Sequence, residues 1–218
     1  MPEKRYFEYG KKEVEYLKKC DPILGAAIDE IGHIHREVNP DIFIALVNAV
    51  VGQQISAKAQ ATVWKRILER FSPITPETIS DIPLEELQSC GISFKKVSYI
   101  KEIATSVIDG SLDLNLLQTQ SDDEVCKRLV KIKGIGVWTA QMLMTFSLQR
   151  PDIISIDDLA ILRGLRMLYH HRKITQKLFD KYRRRYSPYA TVASLYLWAI
   201  AGGACPDLVD YAPKVNKK

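Results

Sequence analysis

The sequence predicts an all-α fold, and three observations predict it. Apolar residues recur at three- and four-residue steps along nearly the whole chain, and Ser or Thr stands as a cap before several of those stripes. No segment alternates apolar and polar residues as a half-buried strand must. Taken in order, residues 42–51 form a short apolar helix that breaks at Gly52-Gln53-Gln54-Ile55, and Ser56 caps the next, whose Val63, Ile67 and Phe71 recur every fourth residue. Thr75-Pro76 is a cap followed by proline at the first helical position. Residues 84–90 make a short helix closed by Gly91, and Val97, Ile100, Ala104 and Val107 stripe another closed by Gly110. Ser121-Asp122-Asp123-Glu124 is a capping box, with Val125, Leu129 and Ile132 behind it and an expected stop at Gly134. After Gly136 a helix carries Val137, Trp138, Met142 and Phe146. The chain then crosses Arg150-Pro151, and Asp157 and Asp158 open the next helix. Thr175 caps a basic helix through Arg185, and Pro188 is expected to start a last one that ends at Gly202-Gly203.

Composition bounds the function classes. Of 218 residues 46% are hydrophobic and 26% charged, with 11 Gly and 10 Pro and no biased tract, which excludes fibrous and disordered chains. A formal charge of +5 permits a nucleic-acid partner without requiring one. Glu3, Lys4, Arg5 and Glu8 interrupt the start, so no secretory signal is expected there and the protein should stay inside the cell. Residues 186–206 carry no charge, but the strongly apolar part, 192–201, is half of what a membrane span needs, so a buried core helix is expected. Cys20, Cys90, Cys126 and Cys205 lie far apart, and neither His33 and His35 nor His170 and His171 share a helical face. No metal site is expected from these side chains.

Two features carry chemistry. Lys133-Gly134-Ile135-Gly136 joins two amphipathic helices, where glycine permits positive φ and close approach, and the amides at the following helix start suit a phosphate oxygen. Asp158 follows 22 residues after Gly136. With the turn Val51-Gly-Gln-Gln-Ile-Ser56, the run Gly134-Ile-Gly-Val-Trp-Thr-Ala140, Asp157-Asp158-Leu159, Pro188-Tyr189 and Tyr196-Leu197-Trp198 in this order, the chain from about residue 41 to 203 resembles the helix-hairpin-helix DNA glycosylase superfamily. Within it the chain looks like the 3-methyladenine DNA glycosylase II branch, which removes alkylated bases.

The resemblance implies two helical lobes with the active-site cleft between them. Residues 41–150 would carry the hairpin, residues 151–218 the catalytic aspartate, and 1–40 would pack with the latter. Asp158 matches the family's catalytic carboxylate, stabilising an oxocarbenium-like sugar and orienting water, and Asp157 matches the neighbour that caps the helix. Gln54, beside Gln53, matches the wedge that fills the gap left by a flipped nucleotide. Trp138 and Trp198 match aromatic walls of the base pocket, and Lys133, Gly134, Ile135, Gly136 and Thr139 match the DNA-contacting hairpin. The backbone carbonyls of Val130, Ile132 and Ile135 match those that hold a monovalent cation, Na+ or K+, in relatives, with no other cofactor required. Strand-cutting members of the superfamily place a lysine where this chain has Trp138, so a monofunctional enzyme is implied. Lys95, Lys96, Arg183, Arg184 and Arg185 could follow the DNA backbone, although such charge runs more often form a solvated face.

The partner is then double-stranded DNA containing damaged bases. The protein would act as a monomer, off the membrane, at the nucleoid of a prokaryotic cytoplasm or in a eukaryotic nucleus. Three departures stand out. The length leaves no room for the extra N-terminal domain of the branch's better-known bacterial member, the iron–sulfur loop of the endonuclease III branch is missing, and Ala190 stands where relatives often have arginine. Another lesion on the same fold, oxidised guanine or a mismatched pyrimidine, and a hairpin module without catalysis both remain open at this level.

Overall fold

The computed structural model describes residues 4–213, so Glu3 of the charged start lies outside the described residues. The order is β1 (Arg5–Tyr6), α1 (Lys11–Cys20), α2 (Pro22–Ile31), β2 (Glu37–Val38), α3 (Ile42–Gly52), α4 (Ala57–Phe71), α5 (Pro76–Asp81), α6 (Leu84–Gln88), α7 (Phe94–Ile108), α8 (Leu116–Thr119), α9 (Asp122–Leu129), α10 (Val137–Phe146), α11 (Leu159–Tyr169), α12 (Gln176–Tyr186) and α13 (Ala190–Ala201). Among the described residues the fold is all-α apart from one antiparallel ladder in which Arg5 faces Val38 and Tyr6 faces Glu37. Two residues per strand are too few to write an alternating pattern, so no strand signal is legible there. The chain divides into two compact units, Asn39–Leu148 and Met1–Val38 with Gln149–Lys218.

In the unit Asn39–Leu148 the helices form for local reasons. Asp41, Ser56, Thr75, Ser93 and Ser121 each accept a hydrogen bond from an amide of the helix they open, and Ser121 and Glu124 complete the capping box. Their apolar stripes meet in a core of Leu46, Val47, Val50, Ile67, Ile79, Leu87, Ile100, Leu117, Leu129 and Ala140, all with essentially no exposure. Each large one contributes roughly 1.5–3 kcal/mol by leaving water. Helix α9 stops at Leu129, not at Gly134, because the chain leaves it in tight turns: the Lys131 and Ile132 amides reach back only three residues, to the Arg128 and Leu129 carbonyls at 3.2 and 3.1 Å.

The other unit centres on α11 against α13. Gly164 makes this packing possible, since a Cβ there would lie 2.4 Å from the Leu197 carbonyl oxygen. Helix α13 is buried continuously from Ala190 to Leu197 and begins at Ala190, two residues later than proline placement suggested. It is 12 residues long, and among the described residues no helix is long and apolar enough to cross a membrane.

Candidate active site

The hairpin belongs to the unit Asn39–Leu148. Ile135 is buried and anchors it, while Gly134, at φ +87°, lies so close to α7 that a Cβ would meet Tyr99 Cδ2 at 2.7 Å. Gly136 differs: it precedes the first turn of α10 at φ −87°, and a Cβ there would meet nothing within 4 Å. Gly134→Ala is therefore expected to destabilise the unit by about 2 kcal/mol, from left-handed strain plus the ring contact, and Gly136→Ala by under about 1 kcal/mol, as thermal or urea unfolding will show. Lys133 reaches Glu102 of α7 at 3.0 Å across exposed surface. Of the three carbonyls expected around a cation, that of Ile132 accepts the Ile135 amide at 3.0 Å.

The turn after α3 comes to the same place. Gln53 closes the helix, and its Nε2 donates to the Gly134 carbonyl, tying turn to hairpin. Gln54 is exposed and holds φ +56°, a left-handed conformation uncommon for a residue with a side chain. Gly52 lies against Gln60, which donates through Nε2 to both the Asn48 carbonyl and Oδ1 at 3.0 Å. A cleft of about 560 Å³ is lined by Gln53, Gln54, Gly134, Trp138, Thr139 and Met142, among others. Trp138 is 45% exposed and faces this cleft, whereas α10 buries Ala140, Leu143 and Met144. Lys96 is not spread along the surface as a phosphate contact. Its ammonium donates inward to the carbonyls of Val51 at 2.8 Å and Gln53 at 2.7 Å, and burial pushes its pKa down.

The aspartates belong to the other unit, and the cap falls to Asp158. Asp158 is the cap of α11: Oδ1 accepts the amides of Ala160 at 2.9 Å and Ile161 at 3.0 Å, and the residue is only 7% exposed. Asp157 is exposed, its amide donating to Ser155 Oγ at 3.2 Å. The expectation that Asp157 caps is thus corrected: Asp158 holds that position. Adjacent acids compete for one cap, and the approach segment decides which reaches it.

That segment is bound to α13. Thr191 Oγ1 donates to the Arg150 carbonyl at 2.6 Å and accepts the Ile153 amide at 2.8 Å, and Ser194 Oγ donates to the Ile153 carbonyl at 3.1 Å. Asp152 accepts Ser187 Oγ at 2.6 Å and the Ala190 amide at 3.2 Å, supplying the cap that α13 lacks from its own N-terminal side. Sequence reasoning passed over Asp152, Thr191 and Ser194. The available signal was that Thr191 and Ser194 are hydroxyls inside an otherwise apolar helix, where such groups must find partners. Trp198 is half-buried on the same helix.

Arg185 likewise leaves the expected DNA contacts. It binds Asp21 Oδ2 at 2.6 Å inside its unit, while Arg183 and Arg184 stay exposed. Among the described residues no cluster of His, Cys, Asp or Glu is placed to hold a metal ion.

Comparisons with known proteins agree on one family. Residues 47–188 match the family described as HhH-GPD superfamily base excision DNA repair protein. DNA-3-methyladenine glycosylase 1 of Schizosaccharomyces pombe is 36% identical over 178 residues, covering 79% of this chain and 76% of that one. The crystal structure of a Bacillus halodurans DNA-3-methyladenine glycosidase superposes with a TM-score of 0.84 at 34% identity, over 94% of this chain and 95% of that one. The S. pombe 3-methyladenine DNA glycosylase in complex with abasic DNA gives 0.76 at 31% identity, over 88% and 97%. With the hairpin at 133–136 and Asp158 both inside the matched span, the chain belongs to the helix-hairpin-helix superfamily of base excision DNA repair proteins, in its alkylation-repair branch.

Proposed function

We propose that the protein is a monofunctional DNA glycosylase that flips alkylated purines out of duplex DNA and hydrolyses their N-glycosidic bond. The observation that carries this reading is Asp158, a carboxylate 7% exposed at a helix start where an uncharged asparagine would make the same cap bonds. As the base departs, positive charge develops on the deoxyribose. A fixed, poorly hydrated carboxylate stabilises that charge and orients the water that adds to C1′. The names of the two relatives in the solved structures support methylated adenine as the class of lesion.

The other unit binds the substrate in this reading. The first amides of α10 after Gly136 receive a backbone phosphate, and the open space at Gly136 admits it, so Gly136→Ala weakens DNA binding while the fold persists. Gln54 enters the stack behind the flipped nucleotide. Trp138, facing the cleft, presents an aromatic surface, which attracts a cationic methylpurine more than a neutral base. A monovalent cation at the hairpin would take its oxygens from Val130, Ile132 and Ile135. The donor class fits, with one lone pair of Ile132 left beyond its bond to Ile135, and such an ion would supply positive charge toward a phosphate.

Trp138 offers no amine with which to form a Schiff base, so the product is an abasic site in an intact strand. The test is incubation with methylated duplex DNA, measuring free base, abasic sites and nicks separately. Methylpurine release without nicking supports the reading. Binding without release of any base overturns it in favour of a non-catalytic module, and nicking at each excised site overturns the monofunctional assignment.

A further inference from the structure

We infer that Lys96 is a positioning residue for base flipping: its ammonium holds the turn that presents Gln54. This rests on the reading of Gln54 as the wedge. Lys96 occupies the third position of α7, behind the cap Ser93, where a cation opposes the helix dipole and an acid is favoured. Its place is explained by what it reaches. The last carbonyls of a helix have no intrahelical partner, and those of Val51 and Gln53, at the end of α3, converge on Nζ at 2.8 and 2.7 Å. A cation at that helix end is favourable for the dipole of α3 and satisfies carbonyls that the tight turn leaves open.

The consequence falls on the next residue. Gln54 holds φ +56°, a conformation that persists in a side-chain-bearing residue only where its surroundings impose it. Two attachments impose it from either side of the Gln53 peptide. Lys96 holds the Gln53 carbonyl, and the Gln53 amide side chain donates to the Gly134 carbonyl of the hairpin. The wedge, the phosphate-facing hairpin and α7 thereby form one assembly set before DNA arrives. Flipping then does not have to order the turn as well as unstack the base. Lys96 touches neither base nor sugar in this account and acts through Gln54.

The test uses the full chain on a duplex with a methylated purine beside 2-aminopurine, whose fluorescence rises when its neighbour leaves the stack. Lys96→Met keeps the stem and removes the donors. It is expected to lower the 2-aminopurine signal and slow single-turnover base release by about tenfold or more, with DNA affinity within about threefold of wild type. Lys96→Arg, which restores donors, is expected to recover most of both. In Gln54→Ala/Lys96→Met the second change is expected to add almost nothing, because a turn without its wedge gains nothing from being held. Normal flipping and excision by a folded Lys96→Met overturns the inference, as does a double variant whose losses multiply. If Lys96→Met does not fold, Lys96→Gln takes its place: a reduced flipping signal carries the inference and an unchanged one overturns it. A silent Gln54→Ala overturns the wedge reading itself, whereas a Gln54→Ala defect that Lys96→Met does not share overturns this inference alone.

Discussion

Asp158→Asn is expected to slow base release by on the order of 100-fold or more while leaving the fold and DNA affinity near those of the wild type. The cap bonds themselves do not require a charge. Oδ1 of Asp158 accepts the Ala160 and Ile161 amides at 2.9 and 3.0 Å, and an asparagine Oδ1 accepts the same two bonds. Asn and Asp are close to equal as caps, so the helix keeps its two cap bonds, and the lost interaction of the carboxylate with the helix dipole costs about 0.3–1 kcal/mol. What disappears is a full negative charge in a site 7% exposed, where charge stabilisation acts far more strongly than in bulk water. Asp158→Ala removes cap and charge together, and its additional cost of about 1 kcal/mol measures the cap alone. Single-turnover excision, thermal unfolding and DNA titration on the three proteins separate the two roles. An Asp158→Asn protein that excises at the wild-type rate would reduce the carboxylate to a cap and end the catalytic assignment.

The same residue shows where sequence suffices and where it does not. A cap bonds an amide two or three residues on, so Ser56, Thr75, Ser121 and Thr175 are all legible and all serve as read. Asp157 and Asp158 both satisfy that local rule. The choice between them depends on a segment whose Ile153 is bound by Thr191 and Ser194 and whose Asp152 is bound by Ser187, partners more than 30 residues apart in the chain. Trp138, Met142 and Phe146 were legible as a helical stripe, but a stripe marks a shared face without saying what covers it. Here that face lines the cleft together with Leu143, and Ala140 and Met144 lie buried behind it. The charged residues were least legible. Lys96 and Arg185 sit in basic runs like many solvated ones, and their partners, Val51, Gln53 and Asp21, lie 43 to 164 residues away.

Arg185→Ala should be the costliest of the basic-residue substitutions, and its cost should fall on stability rather than on DNA binding. Asp21 is 1% exposed and accepts four hydrogen bonds: the Ile23 and Leu24 amides at 3.1 Å on Oδ1, and Tyr169 Oη and Arg185 Nη1 at 2.6 Å on Oδ2. Tyr169 is paired in turn with Tyr186 Oη at 2.6 Å. Burial pushes both phenols well above their ordinary range, so neither ionises to compete with the carboxylate at physiological pH. Arg185 is the cation in this set, held over the Tyr182 ring at 5.5 Å and raised in pKa by its bond to Asp21. Removing it leaves a buried carboxylate with neutral donors only. Breaking a buried pair from one side costs about 3–5 kcal/mol, and the three remaining donors place this case at the lower end, about 3 kcal/mol. Arg183→Ala and Arg184→Ala, exposed on the same helix, should shift stability by under about 0.5 kcal/mol. If either contacts a phosphate, its loss reduces the salt dependence of DNA binding by about one counterion. Urea unfolding and salt-titrated DNA binding of the three variants decide the matter. Should Arg185→Ala unfold like the wild type and lose DNA affinity as an exposed arginine would, the Asp21 pair is dispensable and the whole basic run 183–185 returns to the DNA-binding surface.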